Sequence, residues 1–287
     1  MILLKRNREA ADDGFFGTKL RTKLRAVFKQ KVELEKGEIN KINFPSHWKE
    51  TKEQLEIETH HKCSYCEANT KVVAHGDVEH YRPKSIYWWL AYTYDNYLFS
   101  CQICNQSYKS NNFPIEGRVA RAPKVPSNVT DEKLDELIKK YLIDPRKSSS
   151  DKSVVGLKKL RREKPLLLNP YLDDPADWFI WEYDDNEKAV RLIPKSDDST
   201  SAKFVKAAID FYGLNREQLQ ELRYKEFRIF RTLRRALPAL KDVPELWSDT
   251  KATIEEMQQP HWVFSGMCRY FGSLPLKNLE NTPGRIL

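Results

Sequence analysis

The stretch "HKCSYCEANTKVVAHGDVEHYRPKS", residues 61–85, places two cysteines three positions apart and follows them with a carboxylate beside a histidine. A second such pair occurs in "YDNYLFSCQICNQSYKS", residues 94–110, so the whole pattern is C-x2-C-x34-C-x2-C. Two knuckles of this kind are typical of a tetrahedral thiolate site for Zn²⁺. We predict a closed, structural zinc site with four sulfur ligands: Cys63, Cys66, Cys101 and Cys104.

Composition argues against the alternative that these cysteines form disulfides. Mean hydropathy is −0.68, and no apolar run approaches the roughly 20 residues of a membrane helix. The first residues, "MILLKRNREAADDG", lack the apolar segment of a signal peptide. We expect a cytoplasmic protein that keeps its thiols reduced and does not enter a membrane. Four ordinary buried thiols and a histidine ligand (His60, His61 or His75) stay open as alternatives, and Cys268 is expected to be a core thiol.

The charge balance favours a polyanionic partner. The 287 residues carry a formal net charge of +8, and the pI is near 9.1. Such a balance is typical of proteins that contact nucleic acid or an acidic partner surface. Hydrophobic residues make up 40% of the chain, which is enough for one large domain or two ordinary domains with a buried core.

The residues between and after the knuckles predict a strand, a loop, a second strand and a helix. "GDVEHYRP" alternates until a proline stops it, "NYLFS" is a second strand, and "CNQSYKS" begins a helix at the second knuckle. Alternation places Asp77 and Glu79 on one face of the first strand, with His80 on the other face or at the strand end. Asn105 and Lys109 share a helix face because they are four residues apart.

The N-terminal half carries further helical patterns. Residues 18–36 predict a helix that Thr18 caps and Gly37 ends, and 130–141 predict a short helix with acidic residues first and lysines last. The apolar stripe of the first helix consists of Leu20, Leu24 and Val27. "YWWLAYTY" is expected to pack in the core, and "RKSSSDKSVVG", residues 146–156, is the clearest linker candidate.

The C-terminal half predicts a hairpin at 178–194 and helices at 200–212 and about 216–237. Asn215 with Gln218 fits a capping box at the start of the last helix. The predicted buried stripe of that helix is Leu219, Leu222, Phe227, Phe230 and Leu237. Arg228, Arg231 and Arg235 share another face, which is usually a solvated surface and alternatively a track for phosphates or an acidic partner.

Taken together, these residues resemble the HNH nucleases, whose ββα-metal fold often carries two CxxC knuckles. The resemblance rests on Glu79-His80, on Asn96, and on Cys104-Asn105 with Lys109. It is closer to the PtuB branch, the HNH subunits of Septu-type bacterial anti-phage systems, some of them retron-linked. "DVEHYRPKS", "YWWLAYTYDNYLFSCQICNQ", "NNFPI", "KPLLLNPYLDDP" and "DFYGLNREQL" carry that match, over about 60–215.

The predicted fold class is α+β. It comprises a zinc-clamped ββα-metal (HNH) core at 51–117, embedded in a mostly helical protein with a small β-hairpin. Residues 1–50 are expected to form an N-terminal helical extension, and 118–287 a mainly helical region that contains the hairpin.

The resemblance implies a role for each matching residue. His80 would be the general base that takes a proton from the attacking water, since an imidazole ordinarily titrates near neutrality. Glu79, where the family more often has Asp, and Asn105 would hold one divalent ion, Mg²⁺ or Mn²⁺. Asn96 would tie the loop that orients the histidine. The candidates for phosphate contacts are Arg82 and Lys109.

Partners follow from the same resemblance. They are an SMC/ABC-like ATPase, PtuA, that would regulate cutting, a nucleic-acid substrate (DNA, with RNA or tRNA as alternatives) and, in retron-linked systems, a reverse transcriptase with its DNA. Two rival functions remain: a non-catalytic zinc module that binds nucleic acid, and a scaffold for the ATPase with a decayed active site. Glu79, His80 and Asn105 together favour a metal-dependent endonuclease that works in antiviral defence.

Overall fold

The computed structural model describes residues 1–70, 74–146 and 160–279. The predicted linker at 146–156 lies, except for Arg146, outside the described residues. Within these residues, helices alternate with two small antiparallel sheets. The mixed α+β class is therefore confirmed. None of the described helices combines the length and the apolar character that crossing a membrane requires.

The segment between the cysteine knuckles forms an antiparallel pair of strands followed by a helix. Strand β1, Asp77–His80, pairs with β2, Tyr97–Ser100, so that Glu79 lies opposite Leu98 and His80 opposite Tyr97. A π-helix, Ile103–Lys109, follows at once. The predicted order of strand, loop, strand and helix is confirmed, although the helix has the wider π turn and not the α turn.

Two hydrophobic cores lie on either side of this unit. One core combines α1, Gly17–Lys36, and α3, Asp131–Tyr141, with Tyr97 and Phe99 of β2. The other combines the zinc-knuckle cysteines and Leu98 with the C-terminal half of the chain. Because β2 sends alternate side chains into different cores, it joins the two halves. The aromatic run 87–92 is buried in the first core, as its composition predicted.

The N-terminal segment packs a short turn and a helix against the strands β1 and β2. Helix α1 buries the predicted apolar stripe and ends at Gly37, whose φ is 76°. The prediction that Thr18 caps it is wrong, because the helix begins at Gly17 and Phe16 occupies the cap position without a side-chain bond. A 3-10 turn, His47–Thr51, then leads into α2, Lys52–Glu58.

The C-terminal half packs its elements around the second hairpin. Strands β3, Phe179–Asp184, and β4, Ala189–Pro194, confirm the predicted hairpin. Helices α4, Ser199–Tyr212, and α5, Glu217–Ala236, confirm the two predicted helices. Two further helices, α6 and α7, follow in a region whose sequence pattern was unreadable; they span Pro244–Glu256 and Ser265–Ser273.

Two details of α5 differ from the prediction. Asn215 does not cap the helix: its amide bonds the backbone N–H and C=O of Leu192 in β4, at 2.9 Å each. The side chain thus serves the tertiary contact with the hairpin and leaves the helix start uncapped. Leu222 was predicted in the buried stripe but is exposed, whereas Leu219, Phe227 and Phe230 are buried.

Candidate active site and zinc centre

The four knuckle cysteines converge on one point. Their sulfur atoms all lie within 4.8 Å of one another, and those of Cys66 and Cys101 are 4.0 Å apart. A tetrahedral zinc ion with Zn–S bonds of about 2.3 Å holds its sulfurs about 3.8 Å apart. The cluster therefore fits a closed four-sulfur zinc site. No histidine belongs to it, and residues 1–70, 74–146 and 160–279 contain no second cluster of this kind.

Backbone hydrogen bonds shape the first knuckle and attach it to β2. The N–H of Cys63 donates to Ala68 O and the N–H of Glu67 donates to Cys63 O, both at 3.0 Å, which closes a tight turn around Cys66. The N–H of Ser64 donates to Phe99 O at 2.9 Å. Because Cys101 follows β2 directly, this bond brings the two knuckles together.

A cation supports the sulfur cluster from outside. The Arg216 guanidinium donates to Cys104 Sγ at 3.4 Å. Burial alone would lower the pKa of Arg216, but the Cys104 and Cys66 sulfurs raise it above its ordinary value. A site with four thiolates and one zinc ion is anionic, so a fixed positive charge at this position stabilises the deprotonated ligands.

The first strand, the loop after it and the π-helix enclose a pocket of about 280 Å³. Three predicted site residues share its wall: Glu79, His80 and Asn105. The remaining lining residues are Trp48, Val78, Pro83, Lys84, Gln106, Ser110 and Asn111.

His80 is held in one tautomer. Its Nε2 lies 3.0 Å from Ala91 O, and because a carbonyl only accepts, Nε2 carries the proton and Nδ1 is left as an acceptor. The rings of Trp48 and Tyr97 pack edge-on against the imidazole at 4.9 and 5.0 Å. Burial, followed by the charge of Lys84, lowers the pKa of His80 to about 3. The imidazole is therefore neutral at cellular pH, and does not titrate near neutrality as its type predicted.

Glu79 and Asp77 lie on the same face of β1, as strand alternation predicted, and that face is turned toward the π-helix. Lys109, which is fully buried, pairs with Glu79 Oε1 and also donates to His80 O at 2.9 Å. Burial raises the pKa of Glu79, and the Lys109 ammonium opposes that rise. The ion pair between Lys109 and Glu79 holds β1 against the π-helix.

Asn105 begins the part of the π-helix that faces β1. Its Nδ2 donates to Asp77 Oδ2 at 3.2 Å, and Gln106 Nε2 donates to the same oxygen at 2.8 Å. Because the amide nitrogen is engaged, the amide oxygen of Asn105 is the atom left for a cation. A carboxylate and an amide oxygen are hard donors that suit Mg²⁺ or Mn²⁺ better than zinc. The residues present thus fit a divalent ion.

Asn96 lies outside the pocket and holds the loop that follows β1. Its Oδ1 accepts from Arg82 N at 2.9 Å, and its Nδ2 donates to Arg82 O at 3.0 Å. The Arg82 side chain points away from the pocket, where it is buried and its Nε donates to Glu163 at 3.0 Å. Both predicted candidates for phosphate contacts, Arg82 and Lys109, are therefore engaged in buried ion pairs.

Among the pocket residues to which the sequence gave no role, Lys84 and Trp48 lie closest to the His80 chemistry. Lys84 lies directly after Pro83 in the matched phrase "DVEHYRPKS", but the resemblance gave it no role. Trp48 comes from the turn before α2, and nothing in a linear pattern connects it with a histidine 32 positions later. The only sequence feature that could have indicated Trp48 is that it is a large aromatic residue within a short polar segment.

The fold and the site define an α+β protein with a four-cysteine knuckle pair beside a pocket that contains histidine, carboxylate and amide side chains. The chain is similar to the Septu protein PtuB of Bacillus mycoides (strain KBAB4), with 30% identity over 177 residues. The match covers 57% of this chain and 46% of that protein, so the chain spans about half the length of the curated relative. The predicted resemblance to PtuB is confirmed. No protein-family profile and no solved structure matches the chain.

Proposed function

We propose that this chain is a metal-dependent HNH endonuclease, a phosphodiester hydrolase, that serves as the nuclease subunit of a Septu-type antiviral complex. The observation that carries the proposal is the shared pocket of Glu79, His80 and Asn105 beside a four-sulfur cluster. The similarity to PtuB supports the biological setting.

His80 acts as the general base in this proposal. The neutral ring presents Nδ1 to a water molecule in the pocket and takes its proton as the water attacks the phosphorus. Burial and Lys84 lower the pKa of the empty site, and an anionic phosphate in the pocket opposes that lowering because it stabilises the imidazolium. The Nε2–H bond to Ala91 O fixes the ring orientation and stabilises the positive charge that develops on the imidazole. Tyr97 O–H donates to the same carbonyl at 2.6 Å and keeps that acceptor in place.

The Glu79 carboxylate and Asn105 Oδ1 would hold the divalent ion in the proposed enzyme. When bound, that ion neutralises charge on the phosphate and stabilises the leaving oxygen. Lys109 keeps the Glu79 side chain against the π-helix, and Asp77 keeps the Asn105 amide turned with its oxygen outward. The zinc ion has no open position in a four-sulfur site, so its contribution is structural.

The substrate of the proposed enzyme is nucleic acid, DNA with RNA or tRNA as the alternative, and a net charge of +8 is in keeping with such a polyanion. The PtuA-type ATPase restrains cutting, because a free nuclease in the cytosol would damage its own host. A retron reverse transcriptase with its DNA belongs to the complex in retron-linked systems. These partners follow from the resemblance.

One observation favours a second function, a non-catalytic zinc subunit that binds nucleic acid or supports the ATPase. Lys109 already neutralises the Glu79 carboxylate without any metal ion. A decayed active site would preserve such a pair for stability alone. The two functions differ in whether the imidazole of His80 is needed.

The test is plasmid nicking by the full chain with its ATPase partner, in Mg²⁺ or Mn²⁺. We expect His80→Ala to lower the rate about a hundred- to ten-thousand-fold, which corresponds to about 3 to 5 kcal/mol of barrier. His261→Ala removes an exposed histidine and serves as the control. Zinc content should match wild type in both variants. The melting temperature of His80→Ala should fall, because the variant removes a buried ring, so nicking is measured well below that temperature. A His80→Ala protein that cuts within threefold of wild type rejects the proposal and favours the second function.

A further inference from the structure

Lys84 is a cationic residue in the lining of the pocket. It lines the same pocket as Glu79, His80 and Asn105, and its side chain is half-buried. None of the ion pairs found within residues 1–70, 74–146 and 160–279 includes its ammonium group, and the Glu79 carboxylate in the same pocket attracts it from beyond ion-pair distance. The ammonium instead lies 4.7 Å from the centre of the Trp48 ring.

The other cations near the pocket are engaged. Arg82 is paired with Glu163, and Lys109 with Glu79, and both are fully buried. A half-buried ammonium group loses part of its hydration, and it recovers that free energy when an anion enters the pocket. Lys84 therefore has the position and the charge to receive an anion that the other two cations lack.

The loop that carries Lys84 is fixed on both sides of the lysine. The N–H groups of Ile86 and Tyr87 both donate to Pro83 O, at 3.0 and 2.8 Å. Ser85 Oγ donates to Asn111 Oδ1 at 3.1 Å, which ties the loop to the end of the π-helix. A lysine on a fixed turn loses less conformational entropy on binding than a lysine on a mobile loop.

Trp48 orients this lysine relative to the imidazole. The indole touches the His80 ring edge-on on one side and lies under the Lys84 ammonium on another. The negative face of the indole ring attracts the ammonium group in this position. Trp48, which belongs to the N-terminal segment, thus contacts both His80 and Lys84 and sets the distance between them.

We propose that Lys84 binds the phosphate that is cleaved in this pocket, donating to a nonbridging oxygen, and that Trp48 is its positioning residue. The inference rests on the proposed function, since it names the phosphate contact of that same site. The ligand class is a phosphodiester of nucleic acid. Lys84 takes the place that Arg82 and Lys109 were predicted to fill.

Binding without cleavage gives the first measurement. Short duplex DNA and single-stranded RNA are titrated with the full chain at several salt concentrations, without added divalent ion. Loss of one phosphate contact in Lys84→Gln should make the negative slope of log K against log salt shallower by about 0.9 on the duplex or about 0.7 on the single strand. Lys84→Arg should keep the slope. Lys251→Gln is the matched control, because Lys251 also lies over a tryptophan, Trp247, at 5.2 Å, but away from the pocket.

The positioning role of Trp48 needs a different readout. Trp48→Ala should reduce the salt slope as much as Lys84→Gln does, and should reduce it no further when Lys84→Gln is already present. Trp48→Phe should restore most of the slope, because phenylalanine retains a ring face for the ammonium. A Trp48→Ala effect that simply adds to that of Lys84→Gln overturns the positioning role.

Plasmid nicking separates this inference from the proposed function. Lys84→Gln should lower kcat/KM about 10- to 100-fold, the value of a hydrogen bond to a charged group. If wild type cuts and His80→Ala does not, yet Lys84→Gln keeps both its salt slopes and its nicking rate, the inference alone is wrong. If wild type never cuts but the slope depends on Lys84, the proposed nuclease function fails while the phosphate contact stands.

Discussion

Replacing Asn96 with alanine should destabilise the protein, because the Asn96 side chain bonds the backbone of Arg82. The Asn96 side chain is buried and makes two hydrogen bonds to the main chain of Arg82, one as acceptor and one as donor. Asn96→Ala leaves a buried N–H and a buried C=O without partners. Each orphaned group costs about 1–3 kcal/mol, so the free energy of unfolding should fall by about 2–6 kcal/mol.

The assay is urea unfolding of the zinc-loaded chain, with plasmid nicking measured in parallel. Nicking should fall as well, because the same loop carries Lys84 and continues from His80. Asn186→Ala, in the exposed turn of the β3–β4 hairpin, is the control and should change the unfolding free energy by less than about 0.5 kcal/mol. An Asn96→Ala protein as stable as that control would refute the reasoning, since the two bonds would then carry no net stability.

Three further outcomes are expected. Cys101→Ser should lose zinc by metal analysis and lower the melting temperature sharply, because zinc binding is part of the folding free energy of such sites; a variant that retains full zinc would contradict this. Glu79→Ala should retain zinc but lose nicking, with partial rescue by added Mn²⁺; activity unchanged at low Mg²⁺ would remove its role as ligand. Gly213→Ala should destabilise by more than Gly37→Ala. Both sites have positive φ, which costs about 1–3 kcal/mol for alanine, but only at Gly213 does the new Cβ meet a neighbour, Tyr108, at 2.5 Å. Equal losses in urea unfolding would show that the contact relaxes freely.

Local patterns sufficed for elements that a single stretch of chain determines. Apolar periodicity predicted α1, α4 and α5, and turn residues with alternation predicted both strand pairs. The cysteine spacing predicted a cluster whose sulfurs do converge. In each case the information lies within a few residues, or in ligands that a metal ion selects by chemistry.

The features that the sequence did not predict depend on contacts between residues far apart in the chain. Thr18 and Asn215 have good capping side chains, yet Asn215 is used by the hairpin and the helix of Thr18 starts earlier. Whether a cationic side chain near His80 forms an ion pair depends on carboxylates from distant segments. Glu163 pairs with Arg82, whereas no carboxylate of the described residues lies within ion-pair distance of Lys84. Trp48 belongs to the same class, because its contact with the pocket exists only after the N-terminal segment has folded over β1.

The π-helix makes chain length, and not only side-chain identity, a constraint on this site. Its wide turn is closed by Ser110 N donating to Asn105 O at 2.6 Å, five residues apart. Removing one residue between Asn105 and Lys109 would close this turn over four residues, as in an ordinary α turn, and would leave the residues beyond it near their present orientation. Cys104 and Lys109 would keep their places, but the bonds of Asn105 and Gln106 to Asp77 would have to form again on a narrower turn. Substitutions at the exposed Gln106 and Ser107 should be tolerated far better than a one-residue deletion there.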